Sequence, residues 1–452
     1  MYESLVAEYL RYELPPYVPR KRLSVALPAP RQRNTITSII GVRRCGKTFH
    51  LFQLMDELEK AGVPRELMLY FPFDDDRLGE PDALTASRVL DAYYALVPAA
   101  EEGCYLFFDE IQEIPNWDSF VRRVAEQNRT TLVLTGSSSR LLSTDIPTKL
   151  RGRSIAAEVW PLDFREFCDF NGVAVRSVNG AFAPRGAAAL SRAFLSYLDK
   201  GGFPAVQALD PTTRARMLQA YADEIVTKDV LERFGSASFR AGRRLALSAL
   251  RSTGLKFSVN KQVIAMRSAG ISLSNEAAYA LLDDFEDAHL AFKVADYSLS
   301  IRDNPKAACK LYSVDQGLSL AVAPASHVDL GQRLETAVFV ELKRRYGENR
   351  DRVIARYSSA QCPEADFVVG DVLLSAEYEL IQVAAESGLA RNEAGGMPAA
   401  KFRSEVGNLE KAMGEAGLTS SFLITLDEEE DVSTQSGTVH IVPAWKWFLT
   451  ES

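Results

Sequence analysis

Apolar residues recur in two rhythms along the first 140 positions. The segment "TITSIIG", ending at Gly41, is β-branched and apolar without interruption, the pattern of a buried strand. "KTFHLFQLMDELEKAG" then places Phe49, Leu51, Phe52, Leu54, Met55 and Leu58 at helical spacing, with Gly62 as a stop. A second continuous run, "YLFF" at 105–108, and a third, "TTLVLT" at 130–135, again predict strands covered on both faces. Strands of this kind alternating with helices predict an α/β domain built on a parallel sheet.

The junctions carry the candidate chemistry. Between the first strand and its helix stands "GVRRCGKT", residues 41–48: a glycine, four free positions, then Gly-Lys-Thr. Gly41 and Gly46 let the backbone wrap around phosphate oxygens, and the helix N-terminus offers free N–H groups. Lys47 would reach the β- and γ-phosphates of ATP, and Thr48 would ligate Mg²⁺. The loop backbone from Gly41 through Val42, Cys45 and Gly46 to Phe49 forms the rest of the cradle. Arg43 and Arg44 fit contacts either to nucleotide or to a partner. The run at 105–108 ends in Asp109 and Glu110, the Walker B pattern: Asp109 for the Mg²⁺ shell, Glu110 to polarise the attacking water. The third strand ends in a polar tip, Thr135, Ser137 and Ser138, which fits a γ-phosphate sensor and equally fits helix capping. Arg151 and Arg153 flank a glycine beyond it. Either fits a transition-state arginine, in cis or reaching a neighbouring copy in a homo-oligomer, and either fits a surface ion pair.

Length and composition change this picture little. At 452 residues the chain has room for about three domains. A net charge of −8 argues against wholesale coating of nucleic acid but allows a local basic face. Five dispersed cysteines with no CxxC pair read as reduced thiols, which points to the cytoplasm, and four histidines show no zinc spacing. No signal peptide and no membrane-spanning run is expected.

The motifs "GVRRCGKT", "LFFDEIQEIPNW", "LTGSSSRLLS", "LRGRS" and "PLDFREF", followed by "YLDKGGFPAV", "EIVTKDVLERF", "KLYSVDQGL", "LETAVFVELKRR" and "EADFVV", resemble a prokaryotic AAA-type, archaeal-ATPase-like P-loop family. Its members pair an ATPase domain with a C-terminal domain of unknown function, and the resemblance runs from about residue 34 nearly to the end. It implies ATP binding, an ASCE-type parallel sheet, and a C-terminal domain of PD-(D/E)XK, restriction-endonuclease-like fold. On transfer, Gly46, Lys47, Thr48, Asp109 and Glu110 match the nucleotide site, and Arg151 and Arg153 match the "LRGR" element.

The expected organisation is a helical lead-in over 1–34, the ATPase domain over 35–185, a helical and winged-helix-like region over 186–305, and a nuclease-like α/β domain over 306–452. In the third region a helix, a turn at Gly270 and a second helix from about Ser274 precede a strand pair. That second helix carries Glu276, Asp283, Asp284, Glu286 and Asp287 and no basic residue, which favours protein contact over a DNA major groove. Basic residues over 239–261 keep DNA open by another face. In the last region Glu335, Asp366 and Glu379 or Gln382 follow the order of nuclease carboxylates. Ala384 stands where a catalytic lysine belongs, and no lysine lies near it in sequence, so the expectation is a non-cleaving domain whose acids are ordinary surface or capping residues. Three functions follow: an ATPase switch or remodeller with a protein or DNA partner, an ATP-gated DNA nuclease, and a non-enzymatic DNA-binding regulator.

Overall fold

The computed structural model describes residues 1–23, 25–32, 36–136, 154–177, 182–231, 236–297, 309–323, 328–347, 352–358, 364–371, 378–385 and 399–450. These fall into two compact units, Met1–Trp160 with Asp287–His289, and Pro161–Glu286 with Leu290–Ser452.

In the first unit, α1 (Tyr2–Leu10) leads into turns and irregular chain, and then β1 (Ile36–Ile40), α2 (Lys47–Lys60), β2 (Met68–Pro72), α3 (Thr85–Leu96), β3 (Cys104–Asp109), α4 (Trp117–Glu126), β4 (Thr130–Thr135) and β5 (Ser154–Glu158) follow. The five strands form one parallel sheet in the order β2-β3-β4-β1-β5. Every residue of β1, β3 and β4 is buried, because helices cover both faces of a parallel sheet. One core joins Phe71, Leu106, Phe108, Leu132 and Leu134 of the sheet to Leu5 and Val6 of α1, Val89 and Leu90 of α3, and Phe120 and Val121 of α4. β5 is an edge strand, half open to solvent, and its short run "SIAAE" carries no clear pattern. β4 lies between β1 and β3, so the P-loop strand and the Walker B strand are separated by the strand with the polar tip.

The second unit begins with helices α5 (Phe164–Phe170), α6 (Pro184–Lys200) and α7 (Pro211–Glu224), the last running on into a π-helical turn at Ile225–Leu231. α8 (Ser236–Arg251), β6 (Leu255–Phe257), α9 (Val259–Ser268), α10 (Asn275–Asp287), β7 (Ala291–Val294) and β8 (Cys309–Ser313) come next. Gly270, with φ 72°, makes the turn between α9 and α10. β6, β8 and β7 form an antiparallel sheet in that order. Acids of α10 tie down this sheet: Glu286 accepts the Lys293 backbone N–H at 2.6 Å, and its carboxylate and that of Asp283 pair with the Lys293 ammonium.

After α11 (Gln316–Val322) and α12 (Leu330–Tyr346) come β9 (Arg352–Tyr357), β10 (Ala365–Asp371), β11 (Tyr378–Val383), α13 (Ala399–Ala416), β12 (Ser420–Thr425), β13 (Glu430–Ser433), β14 (Thr438–Pro443) and α14 (Ala444–Leu449). Their sheet runs β13-β14-β12-β11-β10-β9, with β9, β10 and β11 as an antiparallel meander and β12 and β14 added in parallel. Leu380, Leu423, Val439 and Ile441 pack on Leu409 and Met413 of α13. "TVHIVPAWKWFL" reads as strand throughout but turns to helix at Pro443. Pro443 sits at the N-cap with φ −59°, and the following Trp445, Trp447, Phe448 and Leu449 bury themselves on one short helix. Arg345 stacks 4.1 Å over the Trp447 ring and donates to its carbonyl at 2.8 Å, which pins that helix in place.

Candidate nucleotide-binding site and a buried carboxylate cluster

β1 ends at Ile40 and the chain turns at Gly41, φ 147°, then enters α2 through Gly46, φ 105°. A Cβ on Gly41 would lie 2.1 Å from the Val159 carbonyl oxygen, so only glycine fits both the angle and the space. The Cys45 thiol donates to the same carbonyl at 3.0 Å, and burial pushes its pKa up, so it stays a neutral packing group. The Lys47 ammonium is buried and donates to the carbonyls of Gly41 and Val42 at 3.1 and 3.2 Å. Phe49, one turn into the helix, is 47% exposed.

Arg20 gives the loop a second support that motif reading missed. Its guanidinium, buried, donates to the Cys45 carbonyl at 3.3 Å and to the Trp160 carbonyl at 2.8 Å. Its backbone is held by the Gln53 side chain, which accepts the Arg20 N–H at 2.8 Å and donates to the Arg20 carbonyl at 3.2 Å. The segment before β1 has no periodicity, and Arg20 opens an Arg-Lys-Arg run after "YVP" that reads as exposed charge, so nothing singled it out.

The acids arrive where the strands end. Asp109 accepts from Thr48 Oγ1 at 2.8 Å and from Tyr70 Oη at 3.2 Å on one oxygen, and from Thr135 Oγ1 on the other. Thr135 in turn accepts the Glu110 backbone N–H at 3.1 Å. Glu110 sits in the left-handed region, φ 50°, and its carboxylate accepts from the Gln112 amide. The Asp109 pKa is raised. Burial is the main cause, and the charges of Glu110 and Asp74 add to it, while hydrogen bonds from Thr135 and Thr48 work against it. Asp74, just past β2, is also raised, by burial and then by Glu110, with Arg43 opposing. Its signal was present in "LYFPFDDD", an apolar strand run closed by acids.

Three carboxylates therefore crowd the C-terminal edge of β2 and β3 beside the P-loop, the edge at which open α/β sheets bind ligands. The Thr48 hydroxyl and Asp109 carboxylate, 2.8 Å apart, are hard oxygen donors that suit one Mg²⁺. Gly41, Val42, Cys45, Gly46, Lys47, Thr48, Asp109 and Glu110 thus meet in one place. Arg43, Arg44 and Phe49 belong to the same loop and helix start, whereas Ser137, Ser138, Arg151 and Arg153 lie outside the described residues.

Of the second group of candidate acids, Glu335 and Asp366 are drawn in from the surface, whereas Glu379 is exposed. Glu335 from α12, Glu364 just before β10 and Asp366 on β10 surround the ammonium of Lys310 on β8 at 2.9, 3.0 and 3.0 Å. Tyr312, two residues along the same strand, donates to Glu335, and the Val383 N–H donates to the second Asp366 oxygen at 3.0 Å. Gln382 accepts the Asp366 N–H at 3.1 Å, whereas Glu379 faces the Tyr346 hydroxyl at 3.4 Å, away from the cluster. The expected lack of a lysine is corrected here: β8 supplies one across space. Burial and the Asp366 charge push the Glu335 carboxyl up to about 7 against the pull of Lys310.

Two further motifs also converge. Asp315, from "KLYSVDQGL", accepts the Gly202 N–H of "YLDKGGFPAV" at 2.6 Å and caps α11 by accepting the Leu318 N–H at 2.8 Å. Gly317 packs against the same turn so closely that a Cβ would lie 2.5 Å from the Lys200 carbonyl oxygen.

Comparison with known proteins agrees with the geometry of the first unit. The family model described as "AAA domain" matches residues 33–168, and one described as "Domain of unknown function (DUF8612)" matches 191–329. The uncharacterised protein MJ1544 of Methanocaldococcus jannaschii is 30% identical over 425 residues, covering 92% of this chain and 89% of that one. An uncharacterised Haemophilus influenzae protein is 29% identical over 311 residues, covering 69% of this chain and 74% of its own. Among solved structures, the Walker-type ATPase PABY2304 of Pyrococcus abyssi overlaps at a TM-score of 0.42 and 14% identity, covering 64% of this chain and 90% of that one. No described helix is long and apolar enough to cross a membrane. With 30% identity across nearly the whole of both proteins, the chain belongs to the same family as the M. jannaschii protein, and its residues 33–168 are an AAA domain of the P-loop, ATP-binding type.

Proposed function

We propose that the protein is a Mg²⁺-dependent ATPase that works as a switch or remodeller on a macromolecular partner. The observation that carries this reading is the chain of contacts Thr48–Asp109–Thr135–Glu110, which links the P-loop to both Walker B acids through one buried hydroxyl. Lys47 and the loop amides would hold the phosphates, and Thr48 and Asp109 would hold Mg²⁺, which supplies charge neutralisation at the phosphoryl oxygens. Glu110 would orient and polarise the attacking water. Arg151 or Arg153 would add positive charge in the transition state, in cis or from a second copy.

A protein partner is favoured over DNA in the region of α9 and α10. The acids of α10 point their charge at Lys293 and solvent, which suits a winged-helix-like packing module and repels phosphates. The test is steady-state ATP hydrolysis with and without single- and double-stranded DNA, beside Lys47→Ala and Glu110→Gln. Lys47→Ala should abolish nucleotide binding, and Glu110→Gln should bind and barely turn over. Normal turnover by Lys47→Ala sinks the ATPase reading. Strong stimulation by DNA would replace the protein partner with nucleic acid.

A further inference from the structure

The cluster around Lys310 joins elements far apart in the chain: β8, α12 and the start of β10. A primary ammonium has three N–H donors. All three have a carboxylate oxygen within 3.0 Å, from Glu335, Glu364 and Asp366, and the side chain is 8% exposed. The remaining inward-facing lone pairs are also used, by the Tyr312 hydroxyl on Glu335 and the Val383 N–H on Asp366. Further cations stand behind: Lys256 of β6 lies 3.5 Å from Glu364, and Arg356 of β9 lies 3.4 Å from it and also pairs with Asp296. Burial alone would discharge Lys310, yet the neighbouring acids, Asp366 first, hold it firmly protonated.

We infer that Lys310 is the resident counter-ion of this carboxylate centre, standing where a divalent cation would otherwise be held, and that the centre is a structural joint rather than a metal-dependent cleavage site. The physical reason is competition for the same lone pairs. Mg²⁺ or Mn²⁺ needs carboxylate oxygens turned inward and free to coordinate. Here the oxygens that face Lys310, Glu335 Oε1, Glu364 Oε1 and Asp366 Oδ1, are already paired with its ammonium, Asp366 Oδ2 takes the Val383 N–H, and the positive charge sits on a tether that cannot diffuse away. The ammonium, hydrogen-bonded to Glu335 and Asp366 and ion-paired with Glu364, is also poorly placed to orient a water for phosphodiester attack. This inference is independent of the nucleotide site and survives if the ATPase reading fails.

The test is Mn²⁺ binding, followed by the electron paramagnetic resonance of free Mn²⁺, on the full chain without nucleotide. Wild type, Asp366→Asn, Lys310→Met and Lys310→Met/Asp366→Asn are compared. Wild type and Asp366→Asn should bind the same number of ions, since any Mn²⁺ at the P-loop is common to both. Lys310→Met should gain one site per chain, and the double variant should lose it again. If Lys310→Met does not fold, the first pair still decides: one site fewer in Asp366→Asn overturns the inference. So does a folded Lys310→Met that gains nothing, or plasmid cleavage by wild type that Asp366→Asn abolishes.

Discussion

Replacing Thr135 by valine removes one oxygen and almost no volume, yet it touches both Walker B acids. The hydroxyl donates to Asp109 and accepts the Glu110 N–H at 3.1 Å, and the residue is fully buried. An orphaned buried N–H costs about 1–3 kcal/mol, and a hydrogen bond to a charged group is worth about 1.5–3 kcal/mol. The extra methyl group recovers about 1 kcal/mol. A net loss of about 1.5–5 kcal/mol of stability follows from those terms. The same bond helps to keep Asp109 ionised against burial, so its loss raises an already raised carboxyl further. The pH–rate profile of ATP hydrolysis should therefore show its acid limb moved to higher pH, with a lower unfolding midpoint in urea. Thr135→Ser keeps the hydroxyl and should keep the wild-type limb, losing only the stability of one methyl group. If the valine variant has the wild-type limb and the wild-type urea midpoint, Thr135 does not organise the acids and the contact chain loses its central link.

Gly41→Ala should weaken nucleotide binding by more than tenfold and lower the melting temperature, because the new Cβ would meet the Val159 carbonyl oxygen at 2.1 Å in a backbone conformation that L residues avoid; a fluorescent-ATP titration checks it. Gly317→Ala should cost about 1–3 kcal/mol in urea unfolding through its clash with the Lys200 carbonyl. Glu335, held up to about 7 against an ordinary 4.5, keeps a proton in the folded chain that the unfolded chain has released. Stability from this group is complete below about 4.5 and declines as pH rises towards 7, and Glu335→Gln should flatten that decline in urea midpoints measured across the window.

Most of the first unit was legible because its chemistry lies at strand ends and its strands are buried on both faces. The runs ending at Ile40, Asp109 and Thr135 stand out against the helices between them, and the P-loop and both acids follow from those endpoints. β5 was not legible: an edge strand of five residues leaves too little apolar patterning. Lys310 was missed for a different reason. Its partners stand 25 and 56 residues further along, and reading outward from Ala384 cannot find a lysine that another sheet delivers. The signal, a lysine inside the otherwise apolar strand "CKLYS", asks for a buried counter-charge without naming it. The helix at the chain's end was obscured because a proline after a strand reads as a turn and here serves as a helix start.

The strand order also governs how the first unit comes into being on the ribosome. β2 and β3 are neighbours in sequence and in the sheet and can pair early. β1 cannot: its partners are β4 and β5, made after residue 129, so the P-loop strand waits unpaired while most of the unit is synthesised. β4 is the piece that slides between the waiting strand and the early pair, and it brings Thr135 to Asp109 and Glu110 as it does so. The phosphate loop and the acids therefore meet when β4 is inserted, with β5 still to be added at the edge. A truncated chain that ends before β4 would carry "GVRRCGKT" and "LFFDE" without the strand that joins them.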